Sequence, residues 1–165
     1  MDLKHVAREG FVAGLIGAAA VAAWFLIVDI VTGHAFFTPA MLGQALFWGV
    51  TDPSTAAVTF PAVVGYTMAH VLAFVVLGIL AAIMACQVER VPATLFVVVV
   101  FFAVFEFGFY VIVATLAQPL LGALAWTNVA IGNAIAAVGM GYFLWHAHPR
   151  LREALREYPL GAAAD

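Results

Sequence analysis

The sequence predicts an all-α protein, a transmembrane bundle of four helices, on the basis of its composition, its long apolar runs and the positions of its basic residues. Of its 165 residues, 66% are hydrophobic and 9% are charged, whereas soluble domains are about 45–50% apolar and about 25% charged. A soluble fold of this length would expose too much apolar surface, because small domains keep much of their surface in contact with water. We therefore expect a single integral membrane domain over residues 1–165.

Four apolar runs are long enough to cross a bilayer, since a spanning helix needs about 20 predominantly apolar residues. They cover residues 10–31, 62–86, 93–117 and 123–145. Pro61, Pro92 and Pro119 stand at the ends of these runs, where a proline disturbs a helix least. The first run is longer than the apolar core of a signal peptide, which is about 7–15 residues, so we expect it to be a retained span.

The basic residues predict the orientation of the spans. All of them lie before the first span, between the second and third, or after the fourth: Lys4, Arg8, Arg90, Arg150, Arg152 and Arg156. Because basic residues concentrate in cytoplasmic loops, we expect both termini in the cytoplasm. Trp48 and Trp126 then lie at the outer interface, and Tyr142 and Trp145 lie at the inner one, as is typical of aromatic belts.

The connection between the first two spans is long and mostly apolar, which predicts a short helix on the outer leaflet or against a neighbouring protein. Thr38 followed by Pro39 is a helix-start signal, with Thr38 as the N-cap and Pro39 at the first helical position. The predicted helix covers residues 39–48. Its candidate contacts with a partner or with lipid are Met41, Leu42, Leu46 and Trp48.

A second amphipathic segment is predicted at residues 149–158. Leu151 and Leu155 share one face, and Arg152 and Arg156 repeat four residues apart. Each basic side chain near anionic headgroups favours membrane binding by about 1 kcal/mol. The segment is expected either to lie on the cytoplasmic leaflet or to form a solvated helix end.

The candidate functional residues are polar side chains inside the spans. Glu106 lies near the middle of the third span, His70 in the second and Asn133 in the fourth. At about 1.5 Å of rise per residue, all three lie about 12–16 Å from the outer ends of their spans. Tyr66 and Tyr110 lie one turn from His70 and Glu106 and extend the same helix faces. We expect these five residues to form an intramembrane polar cluster.

Three interpretations of this cluster stay open, because polar residues in spans usually face a bundle interior or a polar path. The cluster holds the bundle together by hydrogen bonds, handles a proton or cation through Glu106 and His70, or contacts another subunit or a pigment. His70 is the only histidine deep in a span, which argues against a haem with two histidine ligands and leaves it a candidate ligand of a magnesium pigment. We expect no metal ion. Apart from a contact with a pigment or carotenoid, we also expect no cofactor.

Small residues recur every four positions in two spans. Such stripes let helix backbones approach closely, so we expect them to pack helices together: Gly10, Gly14, Ala18 and Ala22 in the first span, and Gly132 and Ala136 in the fourth. Phenylalanines surround Glu106 in the third span. The candidate contacts with lipid or a partner in this span are Phe101, Phe105 and Phe109.

The sequence lacks the residue sets that most catalytic chemistry needs. Cys86 is its only cysteine, which excludes a disulfide scaffold and argues against a disulfide oxidoreductase. It contains no H-E-x-x-H motif, no G-x-S-x-G motif and no glycine-rich phosphate loop. Six Lys and Arg against nine Asp and Glu provide no basic excess for binding nucleic acid. We therefore expect neither an enzyme nor a nucleic-acid partner.

Short motifs mark about the first fifty residues: Arg8-Glu9-Gly10, Ala13-Gly14-Leu15, Trp24-Phe25, Asp29, Gly33, Thr38-Pro39 and Leu42-Gly43. In these motifs the chain resembles small bacterial four-span proteins of unassigned function. The resemblance implies a bacterial inner membrane and no particular activity. Small multidrug antiporters also have four spans and a membrane glutamate, but theirs lies in the first span, whereas Glu106 lies in the third.

The function expected from these features is that of a non-catalytic accessory subunit of a larger bacterial membrane complex, such as a photosynthetic or respiratory assembly. Its partners would be the lipid bilayer and other membrane-protein subunits. The missing catalytic sets and the apolar outer connection support this expectation. The alternative is a small proton-coupled transporter or channel that acts as a homo-oligomer through Glu106.

Overall fold

The computed structural model describes residues 3–91, 93–97, 99–100, 104, 107, 111 and 123–157. In chain order, α1 is Leu3–Val31, α2 is Phe37–Trp48, α3 is Phe60–Arg90, α4 is Ala123–Ala147 and α5 is Pro149–Glu157. A short 3₁₀ helix, Pro53–Thr55, lies between α2 and α3. No strand occurs in this described part of the chain, so the predicted all-α class is confirmed.

Among the described residues, three helices are long and apolar enough to cross a membrane: Leu3–Val31, Phe60–Arg90 and Trp126–Ala147. They correspond to the first, second and fourth predicted spans. Of the third predicted span, residues 94–97, 99–100, 104, 107 and 111 are described, and they are helical. Its candidate site residues lie outside the described residues: Phe101, Phe105, Glu106, Phe109 and Tyr110.

The helices extend further than the apolar runs that predicted them. α1 begins at Leu3, before the predicted start at residue 10, and α3 continues to Arg90, past the predicted end at residue 86. Apolar runs mark only the part of a helix that suits hydrocarbon. The polar residues next to these runs, such as Lys4, Glu9 and Glu89, form helix well and continue the same hydrogen-bonding pattern.

α1 packs along α3 in antiparallel orientation through glycines of both helices. A Cβ atom added at Gly14 would lie 2.6 Å from the Cα atom of Val75, and one added at Gly78 would lie 2.7 Å from the Cα atom of Gly14. Gly10 faces the backbone of Ile79 in the same way. The two backbones therefore meet with almost no side-chain volume between them, which is how small residues promote helix association in membranes.

α4 packs against another face of α1, also in antiparallel orientation. Gly132 faces Trp24, and a Cβ atom added there would lie 3.2 Å from the ring atom Cδ1. The indole N–H of Trp24 donates a hydrogen bond of 2.9 Å to the backbone oxygen of Asn128. Ala18 and Ala136 of the predicted stripes are buried, whereas Ala22 is exposed and lines a cavity.

These contacts place the start of α1 at the same end of the bundle as the last residues of α3 and α4. We call this the basic end, because Lys4, Arg8 and Arg90 lie there. α1 is the central helix, since α3 and α4 both pack along it and contact each other little. α2 lies at the opposite end, between α1 and α3 in the chain.

α2 packs on the first part of α3 with one face. Ala40, Met41 and Gly43 are buried there, and a Cβ atom added at Gly43 would lie 3.1 Å from the Cα atom of Ala62. The helix begins at Phe37, two residues before the predicted start, and its N-cap residue is Phe36 rather than Thr38. The side chain of Asp29, from α1, accepts both the backbone N–H and the hydroxyl of Thr38 in the first turn, so Thr38 lies inside the helix rather than at its cap.

Candidate functional site

One member of the predicted polar cluster, His70, connects α3 to α1. His70 Nε2 lies 3.3 Å from the backbone oxygen of Ala18. The imidazole ring stacks on Tyr66, with centroids 5.7 Å apart, and contacts Phe74 at 4.7 Å. Asn133 is half-buried on α4. The structure thus brings His70 and Tyr66 together, while Glu106 and Tyr110 lie outside the described residues.

A cavity of about 290 Å³ lies beside this contact, between α1, α2 and α3. Its walls are mostly apolar, and its polar lining comes from His70, Tyr66, Thr67, Asp29 and Thr38. Both carboxylate oxygens of Asp29 already accept hydrogen bonds from Thr38. The cavity therefore offers an incoming molecule an apolar surface next to one imidazole and one phenol.

A second polar cluster lies at the basic end, around His148. This residue connects α4 to α5: its backbone N–H donates to the oxygen of Leu144 at 3.0 Å, and its own oxygen accepts from the N–H of Leu151 at 3.1 Å. Pro149 is the first residue of α5, a position that proline favours because it needs no donor there. The backbone is held on both sides, and His148 is only 5% exposed.

The imidazole of His148 lies between two carboxylates from two other helices. Its Nδ1 is 3.0 Å from Oε1 of Glu89, on α3, and its Nε2 is 3.3 Å from Oε2 of Glu9, on α1. The other oxygen of Glu9, Oε1, is 3.0 Å from Nε2 of His5. One buried ring therefore links α1 and α3 to the junction of α4 and α5.

The two contacts of the His148 ring differ in their hydrogen-bond geometry. Nδ1 and Oε1 of Glu89 form a hydrogen bond, and the ring nitrogen donates it because a carboxylate only accepts. Nε2 and Oε2 of Glu9 are close enough for an ion pair but lack hydrogen-bond geometry, and both atoms are buried without a hydrogen-bond partner. An unsatisfied buried polar atom costs about 1–3 kcal/mol, so a further polar partner at these two atoms would be stabilising.

Cys86 completes the cluster from one turn before Glu89 on α3. Its sulfur, a carboxylate oxygen of Glu89 and a ring nitrogen of His148 all lie within 4.8 Å of one another. Sulfur, nitrogen and oxygen donors of this kind are the ligands that Zn²⁺ takes in proteins. The cluster can therefore hold helices together by hydrogen bonds, or it can bind a transition-metal ion.

The sequence did not predict this cluster. His146 and His148 are two residues apart at the end of α4, yet only His146 is exposed, with Nδ1 2.8 Å from the backbone oxygen of Tyr142. Two signals were present. Pro149 marks a helix junction at His148, and the orientation argument places Glu9 and Glu89 at the same membrane surface as this junction.

The residues of α2 predicted to contact a partner or lipid differ in their exposure. Met41 is buried and Leu42 is half-buried in the packing of α2, whereas Leu46 and Trp48 are each 59% exposed. Phe47, between them, is also exposed and meets the Trp48 ring edge to face at 5.9 Å. The exposed part of α2 is thus its last turn.

Comparison of the chain with protein-family models, with curated proteins and with solved structures gives no match. The class that the fold defines is an all-helical protein in which three of the described helices are long and apolar enough to span a membrane.

Proposed function

We propose that this protein is a non-catalytic accessory subunit of a larger membrane complex in the bacterial inner membrane, with four spans and both termini in the cytoplasm. The observation that carries the proposal is the last turn of α2. Leu46, Phe47 and Trp48 form an apolar edge that is more than half exposed, although one side of the Phe47 ring lies against Gly65 of α3.

The number of spans is supported by the directions of the helices. α3 and α4 both run opposite to α1, so α3 ends at the basic end, whereas α4 begins at the other end. The chain between Arg90 and Ala123 must return across the length of the bundle. At about 1.5 Å of rise per residue, the predicted span at residues 93–117 is long enough to do so as a helix.

The orientation is supported by the charges at the basic end. Lys4, Arg8 and Arg90 lie there, and Arg150 follows at the start of α5. The connection between α1 and α3, at the opposite end, contains no Lys or Arg. The positive-inside rule then assigns the basic end to the cytoplasm and α2 to the outer surface.

An apolar edge on α2 favours a protein partner over lipid. With its 12 residues, α2 is too short to span a bilayer, and at the outer surface it lies near polar headgroups. Apart from Thr38 and Gln44 its residues are apolar or glycine, a pattern typical of helices that are covered on most sides. α3 covers one face, and a neighbouring subunit would cover the exposed edge.

Photo-crosslinking in the native membrane tests this proposal. A photoreactive phenylalanine analogue in place of Trp48 is expected to crosslink to one unlike membrane protein, and native mass spectrometry should find the same protein with this chain in a fixed ratio. The control has the analogue in place of Leu72, in the middle of α3, which is 66% exposed and is expected to face lipid. It should give no such adduct.

Two outcomes would contradict the proposal. The first is the absence of a protein adduct at position 48 in a membrane where the complex is intact. The second is an adduct only between copies of this chain, which would favour the homo-oligomeric transporter. In that case Glu106→Gln should abolish pH-dependent flux, whereas an accessory subunit should work nearly normally with this substitution.

A further inference from the structure

We propose that Cys86, Glu89 and His148 form a binding site for a divalent transition-metal ion, Zn²⁺ in the first instance, at the basic end of the bundle. This site is separate from the exposed edge of α2 and does not depend on the proposed function. It would join α3 to the junction of α4 and α5 through a single ion.

The three donors are already close to coordination geometry. Their ligand atoms lie within 4.8 Å of one another. In a tetrahedral zinc site, metal–ligand distances of about 2.0–2.3 Å place neighbouring donors roughly 3.3–3.8 Å apart. Nδ1 of His148 and Oε1 of Glu89 are 3.0 Å apart, so an ion between them requires a small separation of these two atoms and an approach of the Cys86 sulfur.

The unpaired atoms on the other side of the ring point to the same ligand. Without a metal, the proton lies on Nδ1, and Nε2 faces the carboxylate of Glu9 without a hydrogen bond. An ion bound at Nδ1 takes the place of that proton, and the neutral ring then carries its proton on Nε2. This N–H faces Oε2 of Glu9, which lies 3.3 Å away, and a small turn of the carboxylate would bring the two atoms into hydrogen-bond geometry.

In the resulting arrangement His148 binds the metal with one ring nitrogen and faces the carboxylate of Glu9 with the other. A carboxylate in this position usually orients a metal-binding histidine. His5 adds one further contact, because its Nε2 lies 3.0 Å from Oε1 of Glu9 and so orients this carboxylate. Binding also requires the thiolate of Cys86, so its proton is released to solvent. The ring proton moves from Nδ1 to Nε2 by exchange with water, and the ring stays neutral.

The charges of the cluster suit a dication. Two carboxylates face one imidazole, and the Cys86 thiolate adds a third negative charge when it binds. The alternative is that the imidazole holds Glu89 by its hydrogen bond and lies beside Glu9 without a metal. In that case Cys86 would have no role, and this difference makes the sulfur the decisive reporter.

Cobalt titration of the full chain in detergent tests the site. After removal of metal with a chelator, Co²⁺ is expected to bind with one-to-one stoichiometry and to produce the near-ultraviolet charge-transfer band of a cobalt–thiolate bond. Zn²⁺ should displace it. Cys86→Ser should remove the band, and Glu89→Gln and His148→Gln should each weaken binding by at least about tenfold, the effect that loss of even an indirect partner has.

The matched control is His146→Gln, because His146 is exposed two residues from His148 and hydrogen-bonds only within its own helix turn. It should bind Co²⁺ like the unmodified protein. His148→Gln changes a buried contact between helices and can unfold the chain, whereas Cys86→Ser replaces a single atom. The unfolding temperature of the unmodified protein should rise with Zn²⁺, and that of Cys86→Ser should not.

Two results would overturn the proposal. One is a folded, metal-free protein that shows no cobalt–thiolate band at saturating Co²⁺. The other is a band of unchanged strength and affinity in Glu89→Gln, which would mean that Glu89 is not a ligand of the ion. Either result would leave the cluster as a set of polar contacts between helices.

Discussion

The carboxylate of Asp29, near the end of α1, caps α2 through Thr38. Its Oδ2 accepts the backbone N–H of Thr38 at 2.8 Å, and its Oδ1 accepts the Thr38 hydroxyl at 2.6 Å. Asp29 is 3% exposed, yet both of its oxygens have partners. A side chain from one helix thus performs for another helix the role that the N-cap residue usually performs, because Phe36 at the N-cap has no polar side chain.

Removal of this carboxylate is expected to destabilise the attachment of α2. Asp29→Ala should lower the free energy of unfolding by about 0.5–2 kcal/mol, the range found for loss of N-cap side chains. It should also speed hydrogen exchange at the amide of Thr38, which loses its acceptor. Denaturant unfolding in detergent micelles and exchange measured by mass spectrometry check the two effects.

Asp52→Ala is the control for this change. Asp52 caps the short 3₁₀ helix through Ser54, but its side chain is exposed and connects no two helices. We expect little change in the free energy of unfolding and no change in exchange at Thr38. An equal effect of the two substitutions would show that the buried pairing of Asp29 with Thr38 has no special role.

The helices of this chain could be predicted because each depends on neighbouring residues. Apolar runs predicted the helices that became α1, α3 and α4, and the amphipathic pattern of residues 149–158 predicted α5. The ends were missed where polar residues continue a helix beyond the hydrocarbon, as at Leu3 and Arg90. The start of α2 was missed because its cap, Asp29, is nine residues before Thr38 in the sequence.

The cluster at the basic end could not be predicted in the same way. His148 and Glu89 are 59 residues apart in sequence, and they meet only because α3 and α4 both end beside the start of α1. A single sequence indicates which residues share a membrane surface but not which helix faces meet. Burial of His148 follows from that packing, and it separates this residue from the exposed His146.

The close approach of α1 and α3 should be sensitive to one methyl group. Gly14→Ala places a Cβ atom 2.6 Å from the Cα atom of Val75, and backbone cannot move aside as a side chain can. We expect the free energy of unfolding to fall by about 1–3 kcal/mol, as overpacking typically does. Circular dichroism during denaturation in micelles measures the change.

Gly141→Ala provides the comparison for Gly14→Ala. Gly141 lies in α4, and no atom lies within 4 Å of a Cβ atom added there. Alanine forms helix better than glycine by about 1 kcal/mol, so this variant should be as stable as the unmodified protein or slightly more stable. Equal destabilisation of both variants would mean that the contact with Val75 is not close.

The hydrogen bond from Trp24 to the backbone oxygen of Asn128 should contribute modestly to the packing of α1 on α4. Trp24→Phe keeps an aromatic ring but removes the N–H donor of this 2.9 Å bond. Hydrogen bonds between membrane helices average about 0.6 kcal/mol, so we expect the free energy of unfolding in micelles to fall by an amount of this order. Trp48→Phe changes an exposed ring and should not change the free energy of unfolding of the isolated protein. A larger decrease for Trp48→Phe than for Trp24→Phe would contradict the stabilising role of the Trp24 hydrogen bond.

The pKa of Asp52 should report the local order of the connection between α2 and α3. The Ser54 hydroxyl, and then its backbone N–H, hold the pKa of this carboxyl below its ordinary value of 3.8 by donating hydrogen bonds to the charged form. Because the pKa of Asp52 is lower in the folded turn, its hydrogen bonds with Ser54 stabilise the turn fully above pH 3.8. This stabilisation is lost as the pH falls through the pKa of the folded state. Ser54→Ala should raise the pKa towards 3.8 in a carboxyl-carbon NMR titration, whereas Thr55→Ala, which removes a bond to the backbone oxygen of Asp52, should leave it unchanged. A pKa unaffected by Ser54→Ala would mean that the hydroxyl does not contact the carboxylate in solution.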